Sequence, residues 1–331
     1  MIVDLPNTTT SRVSKRLVKM REEGGVVALG RVLTLVIAAQ PGTEEKAIEA
    51  ANDASREHPM RVIVVVTDPA TQASAVPRLD AEIRVGGDAG ASDVIVLRAY
   101  GAVASDEEGL VTGLLLPDAP IVTWWPGAAP KKPGTAALGQ FAHRRITDAS
   151  TAADPQAALH ELSCNYTPGD ADYAWTRLTT WRAQLAAVLD QPPYEPVTRV
   201  HVTGSLDSPS TTLLTVWLQQ QLGAPGTCEL TTDPAATQGI HAVRLERTSG
   251  TIELRRDAQG VATLTQPGQP VHTVALPRRS LRDCLADELR RLQPDEVYGS
   301  VITVGLPTLA HRAPHDTRST GTAYGTEEVR S

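Results

Sequence analysis

Arg61-Val-Ile-Val-Val-Val-Thr67 places five apolar residues in a row and leaves no polar face. Successive side chains of a strand point to opposite sides, so this segment reads as a strand covered on both. The pattern recurs upstream. Val26 to Ala39 reads as a strand with Leu33, Leu35 and Ile37 on one face and Val32, Thr34 and Val36 on the other. Ala81 to Val85, Asp93 to Arg98 and Ala119 to Trp125 read as three more. Helical segments lie between them. Ser11 to Glu23 is amphipathic and stops at Gly24-Gly25. Thr43 is placed to cap a helix whose inner face is alanine (Ala47, Ala50, Ala51, Ala54), with Glu44 and Glu45 in its first turn. Ser105-Asp-Glu-Glu108 matches a capping box that opens a helix through Leu110, Val111, Leu114 and Leu115. Gly86-Gly-Asp-Ala-Gly90 reads as a turn. Strands alternating with helices predict an α/β fold, with an N-terminal, largely parallel sheet covered by helices over residues 1–150.

The second half has a different rhythm. Asp154 or Pro155 starts a helix, and Tyr173 to Leu189 carries Trp175, Leu178, Trp181, Leu185 and Leu189 at helical spacing. Val197 to Thr203 reads as a strand. Ser208-Pro209 is an N-cap followed by proline at the first helical position, and Gly223 closes that helix. The period then changes to two. Val243 and Leu245 share a face with Ile252 and Leu254 across Ser249-Gly250, while Arg244, Glu246, Glu253 and Arg255 take the other. That is an antiparallel hairpin with one wet side, extended into a meander by Val261 to Thr265 and Val271 to Leu276. Ser280 caps a further helix through Leu281, Leu285, Leu289 and Leu292, and Glu296 to Val304 reads as a last strand. The predicted organisation is an N-terminal α/β domain (1–150), a C-terminal α+β domain (155–306) and a disordered tail (307–331).

Composition narrows the class of function. With 331 residues the chain has room for two cores. Aromatics make up 4% and include one phenylalanine, so each of the five tryptophans carries an unusual share of the large apolar surface. A net charge of −7 without a basic block argues against nucleic acid, and the apolar runs are too short to span a bilayer. Three isolated cysteines fit a reducing cytoplasm. The eight histidines and the cysteines form no metal-binding spacing, and no nucleophile elbow or C-x-x-C is present. The reading assigns no catalytic residue, metal or cofactor.

Partner-contact candidates are Trp124, Trp125, Arg144, Arg145 and Arg98. On a strand Trp124 and Trp125 diverge, so either one is buried under each helix layer, or Trp125, next to Pro126-Gly127, sits at a rim as an interface anchor. Arg144 and Arg145 diverge likewise. A covered strand cannot hold both without partners; the options are a solvated charge, a local ion pair with Asp148, or contact with another protein. Arg98, ending an apolar strand, carries the same alternatives. A candidate anion site is Gly204, Ser205, Ser208 and Ser210, where a strand runs into a helix N-terminus; ordinary capping accounts for the same residues.

Several blocks, in order, carry a resemblance: Met1-Ile-Val-Asp-Leu-Pro, Gly30-Arg-Val-Leu-Thr-Leu-Val-Ile, Glu57-His-Pro-Met-Arg-Val-Ile-Val-Val, Leu115-Leu-Pro-Asp-Ala-Pro-Ile-Val-Thr-Trp-Trp-Pro and Arg144-Arg-Ile-Thr-Asp. Asp172-Tyr-Ala-Trp-Thr-Arg-Leu-Thr-Thr-Trp-Arg and Asp190-Gln-Pro-Pro-Tyr-Glu-Pro extend it. From the first residue to about Val304 the chain resembles the actinobacterial glucose-6-phosphate dehydrogenase assembly proteins, the OpcA family. The resemblance implies a non-catalytic protein of the oxidative pentose phosphate pathway. Such a protein binds glucose-6-phosphate dehydrogenase, promotes its oligomeric assembly and raises its activity. The alternatives are an enzyme acting on a sugar phosphate, such as a lactonase-like hydrolase, and a phosphosugar-sensing regulatory module.

Overall fold

The computed structural model of the chain describes residues 1–23, 32–70, 74–86, 93–232, 238–258 and 260–309. The expected stop at Gly24-Gly25, the first part of the strand drawn from Val26, the turn at Gly87 to Gly90 and residues 310–331 of the expected tail lie outside them. The first residues of that tail, 307–309, are ordered instead: Leu306–Thr308 form a short helical turn and Leu309 packs into a core.

The chain first lays down β1 (Ile2–Leu5), α1 (Thr10–Glu23), β2 (Leu33–Ala39), α2 (Glu44–Ala54), β3 (Met60–Val66), β4 (Arg78–Val85), β5 (Asp93–Tyr100), α3 (Glu107–Thr112), β6 (Ile121–Trp124), β7 (Arg144–Thr147), α4 (Pro155–Cys164) and β8 (Asp170–Asp172). The strands form one sheet in the order β1-β4-β5-β3-β2-β6-β7-β8. Every neighbour from β5 to β8 is parallel. β4 runs antiparallel to β5, and β1 antiparallel to β4. The reversal at β4 follows from chain length: residues 86–92 are too few for a parallel crossover, which takes a dozen or more.

Alternation along the central strands sorts side chains between two cores. Leu35, Ile37, Val62 and Val64 pack under α2, while Val36, Ile63 and Val65 pack under α1 and α3. Two helix starts differ from the sequence reading. Thr43 makes no capping bond, because its hydroxyl donates to the Gln40 carbonyl at 2.8 Å. The cap of α3 is Asp106, which accepts from Gly109 N, and not Ser105.

The remaining chain forms α5 (Tyr173–Thr176), α6 (Thr179–Leu189), β9 (Arg199–Ser205), α7 (Pro209–Leu222), β10 (Gly226–Thr231), β11 (Ile240–Arg247), β12 (Gly250–Ala258), β13 (Gly260–Thr265), β14 (His272–Leu276), α8 (Leu281–Arg290) and α9 (Glu296–Ser300). Its sheet has the order β10-β9-β11-β12-β13-β14 and is antiparallel except for β9–β10. The hairpin pairs Val243 with Leu254 and Leu245 with Ile252, all four buried in a third core that also takes in Leu213 and Leu214 of α7. The helix predicted over Tyr173 to Leu189 is interrupted after Thr176, giving α5 and α6. Asp154, Ser208 and Ser280 each cap the helix they precede, and Gly223 closes α7 at φ 62°.

Glu296 to Val304 is not a strand. Asp295 caps α9 by accepting from Tyr298 N, and a wide helical turn follows over Val301–Gly305. Tyr298, Val301 and Ile302 then fall on one helical face and pack into this third core. An apolar run of this length fits both periods, and the cap selects the helical one.

Two later segments return to the first sheet. β8 is its edge strand, and α8 lies beside α2, with Cys284, Leu285 and Leu289 among the alanines of α2. The two halves of the chain therefore share layers.

Candidate functional site

The tryptophan pair and the arginine pair lie inside the protein. Trp124 is fully buried with Leu35, Ile37 and Tyr173 on the α2–α8 side, and Trp125 is 6% exposed beside Leu138 on the other. The strand thus places one ring under each layer, and a contact patch expected at Trp124 and Trp125 is not on the surface of this chain. Arg144 and Arg145 are 4% and 5% exposed. Arg144 donates from Nε to Glu288 Oε2 at 2.7 Å and from Nη1 to the Gln293 carbonyl at 2.8 Å. Arg145 donates to Asp170 Oδ1 at 2.5 Å and to the carbonyls of Ala142 and Pro168. Neither pairs with Asp148, which is bound by Arg177. These two pairs clip β7 to α8 and β8, and answer the requirement that buried charges be matched. Arg98 sits elsewhere, half-buried between Glu82 and Glu44 at 3.3 and 3.5 Å.

Outside this seam lies a cleft of about 710 Å³, bordered by Arg144, Trp175, Arg182, Asp287, Glu288 and Asp295. Its polar groups are largely engaged with each other. Trp175 Nε1 donates to Asp295 at 2.9 Å, Thr176 to Glu288, and Arg279 pairs with Asp287 at 2.5 Å. Arg182 lies 3.9 Å above the Trp175 ring.

Asp172, fully buried, accepts hydrogen bonds from Thr147 Oγ1, Ala149 N and Ala174 N. Burial first, then the charge of Asp148, pushes its carboxyl up to about 6 despite those bonds. A folded-state value above the unfolded one means that the folded chain holds the extra proton. The contribution of Asp172 to stability is therefore full at low pH and lost as pH rises through about 6. Asp172→Asn should gain stability relative to the parent between about pH 4 and about pH 7, read from urea midpoints at both. A pH-independent difference would mean that Asp172 does not titrate there.

The residues of the candidate anion site are brought together at the start of α7. Their hydroxyls serve the local fold. Ser208 Oγ accepts from Thr211 N and Thr211 Oγ1, Ser210 donates to the Ala174 carbonyl, and Ser205 Oγ accepts from Gly239 N at 2.7 Å. Gly204 is required by packing, since a Cβ there would lie 2.1 Å from Thr211 Oγ1. Sequence reading missed what faces Ser208 and Ser210. Arg177, Arg256, Arg278 and Arg279 converge there around a recess of about 210 Å³, together with Trp181. One signal was available. Arg256 has the same parity as Ile252 and Leu254, so it stands at an inward position of β12.

Burial alone would lower the Arg177 guanidinium, but its bonds to Asp148 raise it overall. Cys228 and Cys284 are buried, and burial pushes both thiols up, Cys284 to about 12; Cys164 is exposed. Among the described residues no His, Cys, Asp and Glu side chains group as three or more in a metal-binding arrangement, and no helix is long and apolar enough to cross a membrane.

Two family models match the chain in tandem. One, described as the N-terminal domain of the glucose-6-phosphate dehydrogenase subunit, matches residues 51–164. The other, described as the C-terminal domain of the same subunit, matches residues 168–302. No curated protein matches. Among solved structures, an oxidoreductase from Sinorhizobium meliloti aligns with a TM-score of 0.46 at 11% identity, over 84% of this chain and 96% of that one. An oxidoreductase from Pseudomonas syringae aligns with a TM-score of 0.40 at 10% identity, over 85% and 91%.

Proposed function

Because this chain belongs to the OpcA family of glucose-6-phosphate dehydrogenase assembly proteins, we propose that it binds that dehydrogenase, favours its active oligomer and raises its activity without catalysing a reaction of its own. The observation that carries this reading is the tandem match of both domains along residues 51–302. On this reading the protein works in the cytoplasm, in the oxidative branch of the pentose phosphate pathway.

A protein that binds one assembly or conformation of an enzyme better than another shifts the equilibrium by its differential affinity, and needs no active site to do so. A coupling of about 1–3 kcal/mol changes substrate affinity roughly 5- to 150-fold. The buried clips at Arg144 and Arg145 bear on this indirectly. They tie β7 to its neighbour β8 and to the covering helix α8, so that the first sheet and this layer form a scaffold that can present one fixed surface. The burial of Trp124, Trp125, Arg144 and Arg145 favours a contact made by other residues.

The test mixes the purified protein with the cognate dehydrogenase. Light scattering after gel filtration should give a heavier species than either component, and the dehydrogenase should show a changed KM or kcat for glucose 6-phosphate. Unchanged hydrodynamic size together with unchanged kinetic constants would end the proposal.

A further inference from the structure

We propose that the recess at the N-terminus of α7 binds a small phosphate dianion, free phosphate or a phosphate monoester, held between Arg256 and Arg278. This inference is independent of the partner role.

Among the described residues, four arginines and no carboxylate border the recess. Two of the four are already matched, Arg177 by Asp148 and Arg279 by Asp287. The other two form no ion pair with any described residue. Arg256 is 8% exposed, and its only described hydrogen bond runs from Nη2 to the Leu276 carbonyl at 3.1 Å. Its Nε is buried without a partner. Among the described residues, Arg278 hydrogen-bonds only the Gln238 side-chain oxygen, at 3.5 Å.

A buried cation without a counter-charge is costly, and two facing the same recess repel each other. Trp181, whose ring lies 5.1 Å from the Arg256 guanidinium, offsets part of that cost but supplies no negative charge. The effect appears in the acid–base equilibria. Burial, with the charge of Arg278 adding to it, lowers the Arg256 guanidinium to about 10, and burial lowers that of Arg278 against the pull of Asp207. At about 10, Arg256 remains charged at neutral pH.

The third element is α7, fourteen residues long, which opens at the same recess with Ser208 as cap and Pro209 behind it. Its positive dipole end adds to the two guanidiniums. Guanidinium forks match the oxygens of phosphate and prefer it to a spherical anion. A cavity of about 210 Å³ holds a phosphate group and leaves room for a small organic substituent toward Gln238 and Pro277.

The experiment is calorimetric titration of the full chain with inorganic phosphate and, separately, with a hexose monophosphate. Ionic strength is matched with chloride, and the unphosphorylated hexose serves as control. Saturable binding with one site per chain is expected for both phosphates and not for the control; tighter binding of the monoester would identify the organic part as a contact. Arg256→Gln should weaken binding at least tenfold and Arg278→Gln severalfold. In phosphate-free buffer Arg256→Met should raise the melting temperature, since it removes an unmatched buried charge, and the rise caused by phosphate should disappear. If Arg256→Gln fails to fold by circular dichroism, the less buried Arg278→Gln carries the test. Absence of saturable binding to the parent protein, or unchanged affinity in the folded variants, would overturn the proposal.

Discussion

Arg144→Glu is expected to unfold the protein. The substitution would set a second carboxylate against Glu288 at a place where both side chains are only 5% exposed. Removing one partner of a buried pair costs about 3–5 kcal/mol, because the survivor keeps its charge and loses its match. Whole domains are stable by about 5–15 kcal/mol, so a reversed charge at this position consumes a large part of the total or all of it. Glu288 has one other bond, from Thr176, which cannot neutralise it. The Gln293 carbonyl would also lose its donor. The milder Arg144→Gln and Glu288→Gln should each show the loss as a lower urea midpoint. The double change Arg144→Met with Glu288→Met should recover most of it, since an apolar pair of similar volume pays no desolvation. A parent-like midpoint for Arg144→Glu would mean that the Arg144 side chain reaches solvent, and would restore it as a contact candidate.

That outcome depends on a partner 144 residues away, and this marks the limit of what the sequence displays. Elements governed by near neighbours were readable. Five apolar residues from Val62 announce a doubly covered strand. Alternation fixes the register of Val243 against Leu254, and a serine or aspartate before a proline or helix caps it. Arg144 and Arg145 showed that matches were needed in a covered strand, but not that α8 and β8 would provide them. The tryptophan pair was likewise legible as divergent, and both rings prove to be covered by layers contributed from distant parts of the chain. Glu296 to Val304 was misread because a short apolar run fits two periods, and only the Asp295 cap separates them. The arginine recess was missed for a related reason. Its cations come from α5–α6, β12 and the segment before α8, and only the inward parity of Arg256 hinted at it.

Trp124→Ala is expected to cost about 3–5 kcal/mol, the range for removing a large aromatic from a core. The ring is wholly enclosed, packs with Leu35, Ile37 and Ile146, and meets Tyr173 at 5.7 Å in a tilted pair worth about 0.5–1.5 kcal/mol more. Its loss would open a cavity between β6 and α8 that the parallel strands, bonded on both sides, cannot close by shifting. Trp124→Phe should cost much less than the alanine change. The indole Nε1 is buried with no hydrogen-bond partner, and an unmade bond of that kind costs about 1–3 kcal/mol, so phenylalanine trades lost volume for relief of that penalty. Trp125→Ala should also destabilise, through the opposite core that it shares with Leu138. Urea unfolding of the three variants separates the cases. A parent-like midpoint for Trp125→Ala, with a weakened dehydrogenase complex, would return that ring to the surface as an anchor. A large loss in both alanine variants, with phenylalanine at position 124 tolerated, follows from one ring standing under each layer of the sheet.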